Sequence, residues 1–326
     1  MPTFEVIIGV DLGATNIHSL LVNKEGQILA RDFRPTLGQE GKEKTLSQIT
    51  SSIQTLQKKA EDLGASSLLG VGIGSPGPLS ASEGIIYHSP NIPEWEDLPL
   101  VAILEDRLKM PVFLENDANA AALGEWWKGA GKGTDYLFLL TLGTGVGGGV
   151  IIEGEVYHGA WDAGAELGHM IIKEGGMICG CGARGCLEAY ASATGVIKRT
   201  RAYLKQGHST ILTRLMGNNP ENLTCEMVFK AAEQQDELAM HIVRETGRYL
   251  GIGVASLINI FNPQKVILAG GMMRSGHILL DEVRKYAFLN CLKASRKDVE
   301  IVAAKLGDDA GAIGAAATVL KRKGII

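Results

Sequence analysis

The chain has 326 residues, 45% of them hydrophobic and 21% charged, with a formal net charge of −4. A chain of that length buries a sizeable core and favours two domains over one, and mild acidity without a basic run excludes the electrostatic footprint of a partner such as DNA, RNA or anionic lipid. No apolar stretch is long enough to span a bilayer, no basic n-region or small-residue cleavage site opens the chain, and five cysteines, three of them in one short stretch, fit a reducing cytoplasm better than a disulfide framework.

The first predicted element is a β-branched strand from Val6 to Val10, followed by Asp11-Leu12-Gly13-Ala14-Thr15-Asn16 and a second apolar run, Ile17 to Val22. A turn at Lys24-Glu25-Gly26 leads into a third strand-like segment, Gln27 to Phe33. Glycine and small hydroxyl residues in the first turn let backbone N–H groups approach a phosphate, and Asp11 can hold magnesium through water. A plain hairpin explains the same pattern equally well. Leu46, Ile49, Ile53, Leu56, Ala60 and Leu63 recur at helical spacing until Gly64. Leu68 to Ile73 predicts a strand ended by Gly74-Ser75-Pro76-Gly77-Pro78, whose glycines expose backbone amides. The loop Asn91-Ile92-Pro93-Glu94-Trp95 suits a polar ligand and equally a surface turn. A helix from Leu100 to Lys109 stops before Pro111.

Val112 to Asp117 predicts a strand ending in the polar side chains of Glu115, Asn116 and Asp117, then a helix from Ala118 to Lys128. Asn116 or Asp117 suits a helix N-cap. A carboxylate at a strand end is also where a hydroxyl-activating base stands, kept ionised by the helix N-terminus, and phosphoryl transfer tolerates a weak base because its transition state is loose. The strand–glycine–strand pattern then recurs. Tyr136 to Thr141 is followed by Leu142-Gly143-Thr144-Gly145-Val146-Gly147-Gly148-Gly149 and a strand from Val150 to Ile152, which suggests an internal duplication. A dinucleotide fingerprint is excluded because a strand, not a helix, follows those glycines. A P-loop at Gly131-Lys132-Gly133-Thr134 is excluded because glycine follows the lysine.

From Glu166 to Glu188 one loop offers three thiolates, Cys179, Cys181 and Cys186, and the imidazole of His169. That is the donor set of a closed tetrahedral zinc site, and a bridge between Cys179 and Cys181, one residue apart, would be strained. A filled site holds a loop's shape and aims Glu166, His169 and Glu188 instead of activating water. Cys225 and Cys291 are expected to be core thiols. Helices follow at Ala189–Gln206, Thr224–Gln235 and Leu238–Ile260, the last with Gly247, Gly251 and Gly253 for close packing. After the buried strand Val266 to Ala269, Gly270-Gly271-Met272 offers a resting place for adenine and ribose, or a common turn. A strand near Val299 to Ala303 precedes the alanine-rich helix Ala310 to Lys321.

The Asp11-to-Asn16 turn, Glu115-Asn116-Asp117-Ala118-Asn119, Leu142-Gly143-Thr144-Gly145, Glu166-x-Gly168-His169 and Cys179-x-Cys181-Gly182-x-x-Gly185-Cys186-x-Glu188 together resemble the ROK family of sugar kinases and repressors. The resemblance runs from end to end and is greatest to the family's bacterial glucokinases. It implies an actin-like, hexokinase-like (ribonuclease H-like) α/β fold of two lobes with ATP and sugar in the interlobe cleft. Residues 1–117 with 305–326 are expected as the small lobe and 118–304 as the large one. By the same resemblance Asp117 is the catalytic base toward the sugar 6-hydroxyl, and Gly77, Asn91, Asn116, Glu166, His169 and Glu188 belong to the sugar site. Asp11, Gly13, Thr15, Asn16, Thr144 and Gly145 serve MgATP, Gly270 and Gly271 serve the nucleoside, and His169, Cys179, Cys181 and Cys186 ligate zinc. Ala14 replaces a glycine common in relatives, which is tolerated if its φ is negative.

The expected activity is MgATP-dependent formation of glucose 6-phosphate, in the cytoplasm, by a homo-oligomer (dimer or tetramer) without nucleic-acid or membrane partners. The alternatives are another hexose (N-acetylmannosamine, N-acetylglucosamine, mannose or fructose) or a sugar sensor without catalysis. Repressors of the family carry a winged helix-turn-helix before the first hairpin, whereas here the hairpin begins within the first ten residues.

Overall fold

The structure, a computed structural model, describes residues 4–326 except 90, 91, 93 and 275. The chain divides into two compact units, one of Met1–Asp135, Gly149–Ala165 and Lys305–Ile326, the other of Tyr136–Gly148 and Glu166–Ala304.

The first unit opens with the hairpin β1 (Glu5–Leu12), β2 (Asn16–Asn23) and β3 (Ile28–Pro35), followed by helix α1 (Lys42–Asp62) and strand β4 (Ser67–Ser75). Three short strands, β5 (Leu79–Ser80), β6 (Ile85–His88) and β7 (Glu96–Leu98), form a small sheet of their own, and α2 (Leu100–Leu108), β8 (Val112–Asn116) and α3 (Asp117–Lys128) follow. The main sheet has the order β3-β2-β1-β4-β8, antiparallel through β1–β3 and parallel through β1, β4 and β8. On one face Val6, Ile8 and Val10 pack with Leu46, Ile49, Ile53 and Trp95 in a dry core. Across the other lies the chain's last helix, Ala310–Arg322. Its alanines follow from how near it comes, since a Cβ on Gly72 would stand 1.7 Å from the Ala315 carbonyl oxygen.

In the second unit β9 (Leu137–Leu142) is followed by β10 (Val146–Ile152), within which the chain passes back to the first unit and forms β11 (Glu155–Val156). Then come α4 (Leu187–Ala191), α5 (Ala193–Lys205), the single turn α6 (Leu212–Leu215), α7 (Cys225–Glu233), α8 (Glu237–Phe261), β12 (Lys265–Ala269), α9 (His277–Asn290) and β13 (Glu300–Ala303), after which the chain returns to the first unit for the alanine-rich α10 (Ala310–Arg322). The second sheet has the order β11-β10-β9-β12-β13, with β9, β12 and β13 parallel. Both five-stranded sheets therefore run three consecutive strands and then two parallel ones, the signature of the duplication read from the repeated glycine turns. The small residues of α8 act as expected: Gly251 lets α9 approach, for a Cβ there would meet Cβ of Tyr286 at 2.5 Å.

Several expected boundaries move. Strand β10 begins at Val146, not Val150, because its glycines are strand residues pressed on a helix: a Cβ on Gly149 would lie 2.4 Å from the Ala118 carbonyl. The helix expected over 189–206 breaks at Ser192, whose side chain accepts the Gly195 N–H at 3.1 Å and caps α5. Helix α3 groups with the first unit, where the expected division had ended it at 117. It is held there by α10, since Gly314 faces the Ala120 carbonyl closely enough that a Cβ would come within 1.6 Å.

Candidate active site

In the first unit the parallel register aligns Asp11 with Gly74 and Gly74 with Glu115, so Asp11 and Glu115 stand level at the carboxyl ends of β1 and β8 on either side of β4, where open α/β sheets bind ligands. The turn after β1 is tight: Gly13 N–H donates to the Asn16 carbonyl at 3.0 Å, and the Thr36 hydroxyl donates to the Gly13 carbonyl at 2.7 Å. Ala14, Thr15 and Asn16 are exposed at its tip. Ala14 is not among the residues with positive φ, so its methyl is accommodated. The Asp11 carboxyl faces the start of α10, where a Cβ on Gly311 would lie 2.6 Å from its Oδ2.

Asn116 is the N-cap of α3, its Oδ1 accepting the N–H groups of Ala118 at 2.9 Å and Asn119 at 3.2 Å. Capping by Asn116 frees Asp117 from that task, although its Oδ1 also accepts the Ala118 N–H at 2.8 Å. Burial raises the Asp117 pKa, and the amides of Ala118 and Asp117 itself pull it down by less. Desolvation thus works against the ionised form that the helix start was expected to favour, and the two backbone amides offset part of it. Asp11 is pushed up to about 7, by burial first and by the neighbouring Asp117 charge second. Gly77 stands beside the cap, with Asn116 Nδ2 3.6 Å from where its Cβ would be. Asn91 lies outside the described residues.

In the second unit the four donors of the cysteine loop converge. The ligand atoms of His169, Cys179, Cys181 and Cys186 all lie within 4.8 Å of one another. Cys181 Sγ and Cys186 Sγ are 3.8 Å apart and Cys179 Sγ is 3.7 Å from His169 Nδ1. Two sulfurs each about 2.3 Å from a tetrahedral zinc ion sit about 3.8 Å from each other, so the set fits that metal. Tight turning is built in by Gly182 (φ 91°) and Gly185 (φ 86°) and by the pairing of Ile171 with Cys186 and Ile178 with Arg184.

Glu166 precedes the short turn carrying His169. Glu188, on α4, accepts the Val146 N–H at 3.0 Å and a Cys179 thiol contact at 3.4 Å. It thereby ties the cysteine loop to the second glycine turn, where a Cβ on Gly145 would collide with its Oε2 at 2.5 Å. That turn mirrors the first: Gly143 N–H donates to the Gly145 carbonyl at 3.0 Å, leaving Thr144 exposed.

Beside Thr144 opens a cavity of about 320 Å³ lined by Leu142, Gly143, Phe229, Gly271, Met272 and Arg274 among others. Gly270 (φ 94°), the residue before Gly271, packs its backbone on Leu142. Sequence reasoning nominated the glycines but missed Phe229 and Cys225 of α7, whose only signal was the helix's amphipathic spacing. Cys225 is buried, as expected of a core thiol, and burial pushes its pKa up to about 12.

A family model described as ROK family matches residues 7–322. The chain is 42% identical to a glucokinase of Thermotoga maritima over 318 residues, covering 98% of both chains. It is 33% identical to a xylose repressor of Caldicellulosiruptor bescii, covering 96% of this chain and 78% of the repressor. Among solved structures, a ROK family glucokinase from Streptomyces griseus in complex with glucose and AMPPNP superposes with a TM-score of 0.80 at 35% identity, covering 95% of this chain and 98% of the other.

Proposed function

The chain belongs to the ROK family, with its two-lobed, actin-like and hexokinase-like α/β fold, and we propose that it transfers the γ-phosphoryl group of ATP to the 6-hydroxyl of glucose. The observation that carries this reading is the end-to-end similarity to glucokinases together with a carboxylate, Asp117, set at the end of β8 with its helix already capped by Asn116.

In this reading the hexose is held by hydrogen bonds from Asn116, Glu166, His169 and Glu188 and by the Gly77 loop. The 6-hydroxyl attacks the γ-phosphorus; its proton passes to the Asp117 carboxylate, and ADP leaves with the electrons of the broken P–O bond. Asp117 acts late, because a loose phosphoryl-transfer transition state needs positioning and charge stabilisation more than a strong base. The backbone amides of the turns Gly13–Asn16 and Thr144–Gly145 cradle the phosphates, and Asp11 would help hold magnesium. Magnesium, when bound, neutralises charge on the β- and γ-phosphate oxygens. The apolar walls given by Phe229 and Met272, beside Gly270 and Gly271, receive adenine and ribose. His169, Cys179, Cys181 and Cys186 would hold a zinc ion in a closed site, and its role there would be to fix the loop that carries the sugar ligands.

The test is sugar-dependent ADP release from MgATP across a hexose panel. Glucose is expected to give the highest kcat/KM, with mannose, fructose, N-acetylglucosamine and N-acetylmannosamine below it. A different best hexose would revise the substrate, and release with none of them would favour the sensing role that the repressor similarity offers.

A further inference from the structure

Directly before Asn116 and Asp117 lies a buried carboxylate that the reaction does not use. Glu115 is 2% exposed, and its Oε1 accepts the N–H of Asn116 at 2.9 Å and the side-chain amide of Asn119 at 3.2 Å. It thus grips the strand-to-helix turn on both sides of Asp117. His158 supplies what such a buried carboxylate requires: its Nε2 reaches Oε1 at 3.1 Å and Oε2 at 2.9 Å.

The imidazole is itself held in place. Gly164 N–H closes the loop onto the His158 carbonyl at 2.8 Å. Asp162 bolts the same loop to β5 by accepting Ser80 Oγ at 2.8 Å, Ser82 Oγ at 2.8 Å and Ser82 N–H at 3.1 Å. No motif in the sequence marks His158, which follows β11 without a spacing signal.

We propose that His158 is a positioning residue: through Glu115 it locks the Asn116–Asp117 turn in the orientation that presents the Asp117 carboxylate to the substrate hydroxyl. This rests on the kinase reading above. The groups facing His158 are Glu115 of β8, Asp162 of its own loop and Arg322 of α10. The hydrogen bond to Glu115 raises its pKa most, with further help from the charges of Glu115 and Asp162, against burial and Arg322. A raised imidazole pKa keeps the ion pair charged to higher pH than a free imidazole would, and the pair weakens as pH rises through that value.

The experiment compares His158→Gln and His158→Leu with the wild type in hexose phosphorylation from neutral to alkaline pH, with melting temperature and glucose binding recorded for each. His158→Leu should lower kcat about 10- to 100-fold through misplacement of the turn, with KM for ATP unchanged. His158→Gln keeps a donor for Glu115 but cannot titrate, so it should retain kcat within about threefold at neutral pH and lose the alkaline decline expected of the wild type. A folded His158→Leu variant with wild-type kcat and pH profile overturns the proposal, as do equal losses in both variants that merely follow a lowered melting temperature. Should the leucine variant not fold, the glutamine variant decides, and an alkaline limb persisting in it overturns the proposal. A wild type inactive on every hexose refutes the kinase reading instead, and is established before either variant is measured.

Discussion

Asp117 is pulled two ways. Burial favours its neutral form, while the N–H groups of Ala118 and of its own backbone favour the ionised one, and burial prevails. A base must be ionised to act, so a raised pKa places the acid limb of kcat/KM above the ordinary carboxylate range near 4. Activity should therefore begin to fall on acidification at a higher pH than an ordinary aspartate would give, and an acid limb within or below the ordinary carboxylate range, with magnesium saturating, would contradict the burial argument. Asp117→Asn keeps the shape and removes the acceptor. It should cut kcat by about 10²- to 10⁴-fold while glucose affinity, read by titration calorimetry, stays within about threefold, since a base used late contributes little to ground-state binding. At this scale the sequence marked Asp117 by its place between a strand and a helix. It did not reveal the pKa, which depends on desolvation, nor His158, whose partner Glu115 is 43 positions away.

Among the elements, the cysteine loop was the most legible, because metal-ligand chemistry demands particular atoms at short spacing and leaves that demand in the sequence. Less visible was the bond from Glu188 to the Val146 amide, 42 positions away, which joins this loop to the second glycine turn. The break at Ser192 and the early start of β10 were also hidden, since each depends on what packs nearby: a cap for Gly195 and the backbone of Ala118. Through the Glu188 link, disorder in the loop should reach the sugar site and the phosphate turn together. Removing the metal with a chelator, with loss confirmed by elemental analysis, is expected to weaken glucose binding by about 10-fold or more and to lower the melting temperature. A demonstrably zinc-free protein with unchanged glucose affinity would contradict the scaffold role.

For the molecule as a whole, the repeated glycine turns foretold a repeated sheet order, and both five-stranded sheets display it. Longer strands and helices declared themselves by periodicity. The three-stranded sheet of β5, β6 and β7 did not, because strands of two to four residues are too short to establish a period. Among the described residues no helix is long and apolar enough to cross a membrane. The activity drawn from the whole chain has one product that identifies it. Incubating the protein with MgATP and glucose and following ³¹P and ¹H resonances should show glucose 6-phosphate and ADP appearing in equal amounts, with phosphorus coupled to the protons on carbon 6. Glucose that binds but gives no phosphorylated sugar, or phosphate appearing on another carbon, would contradict the assignment.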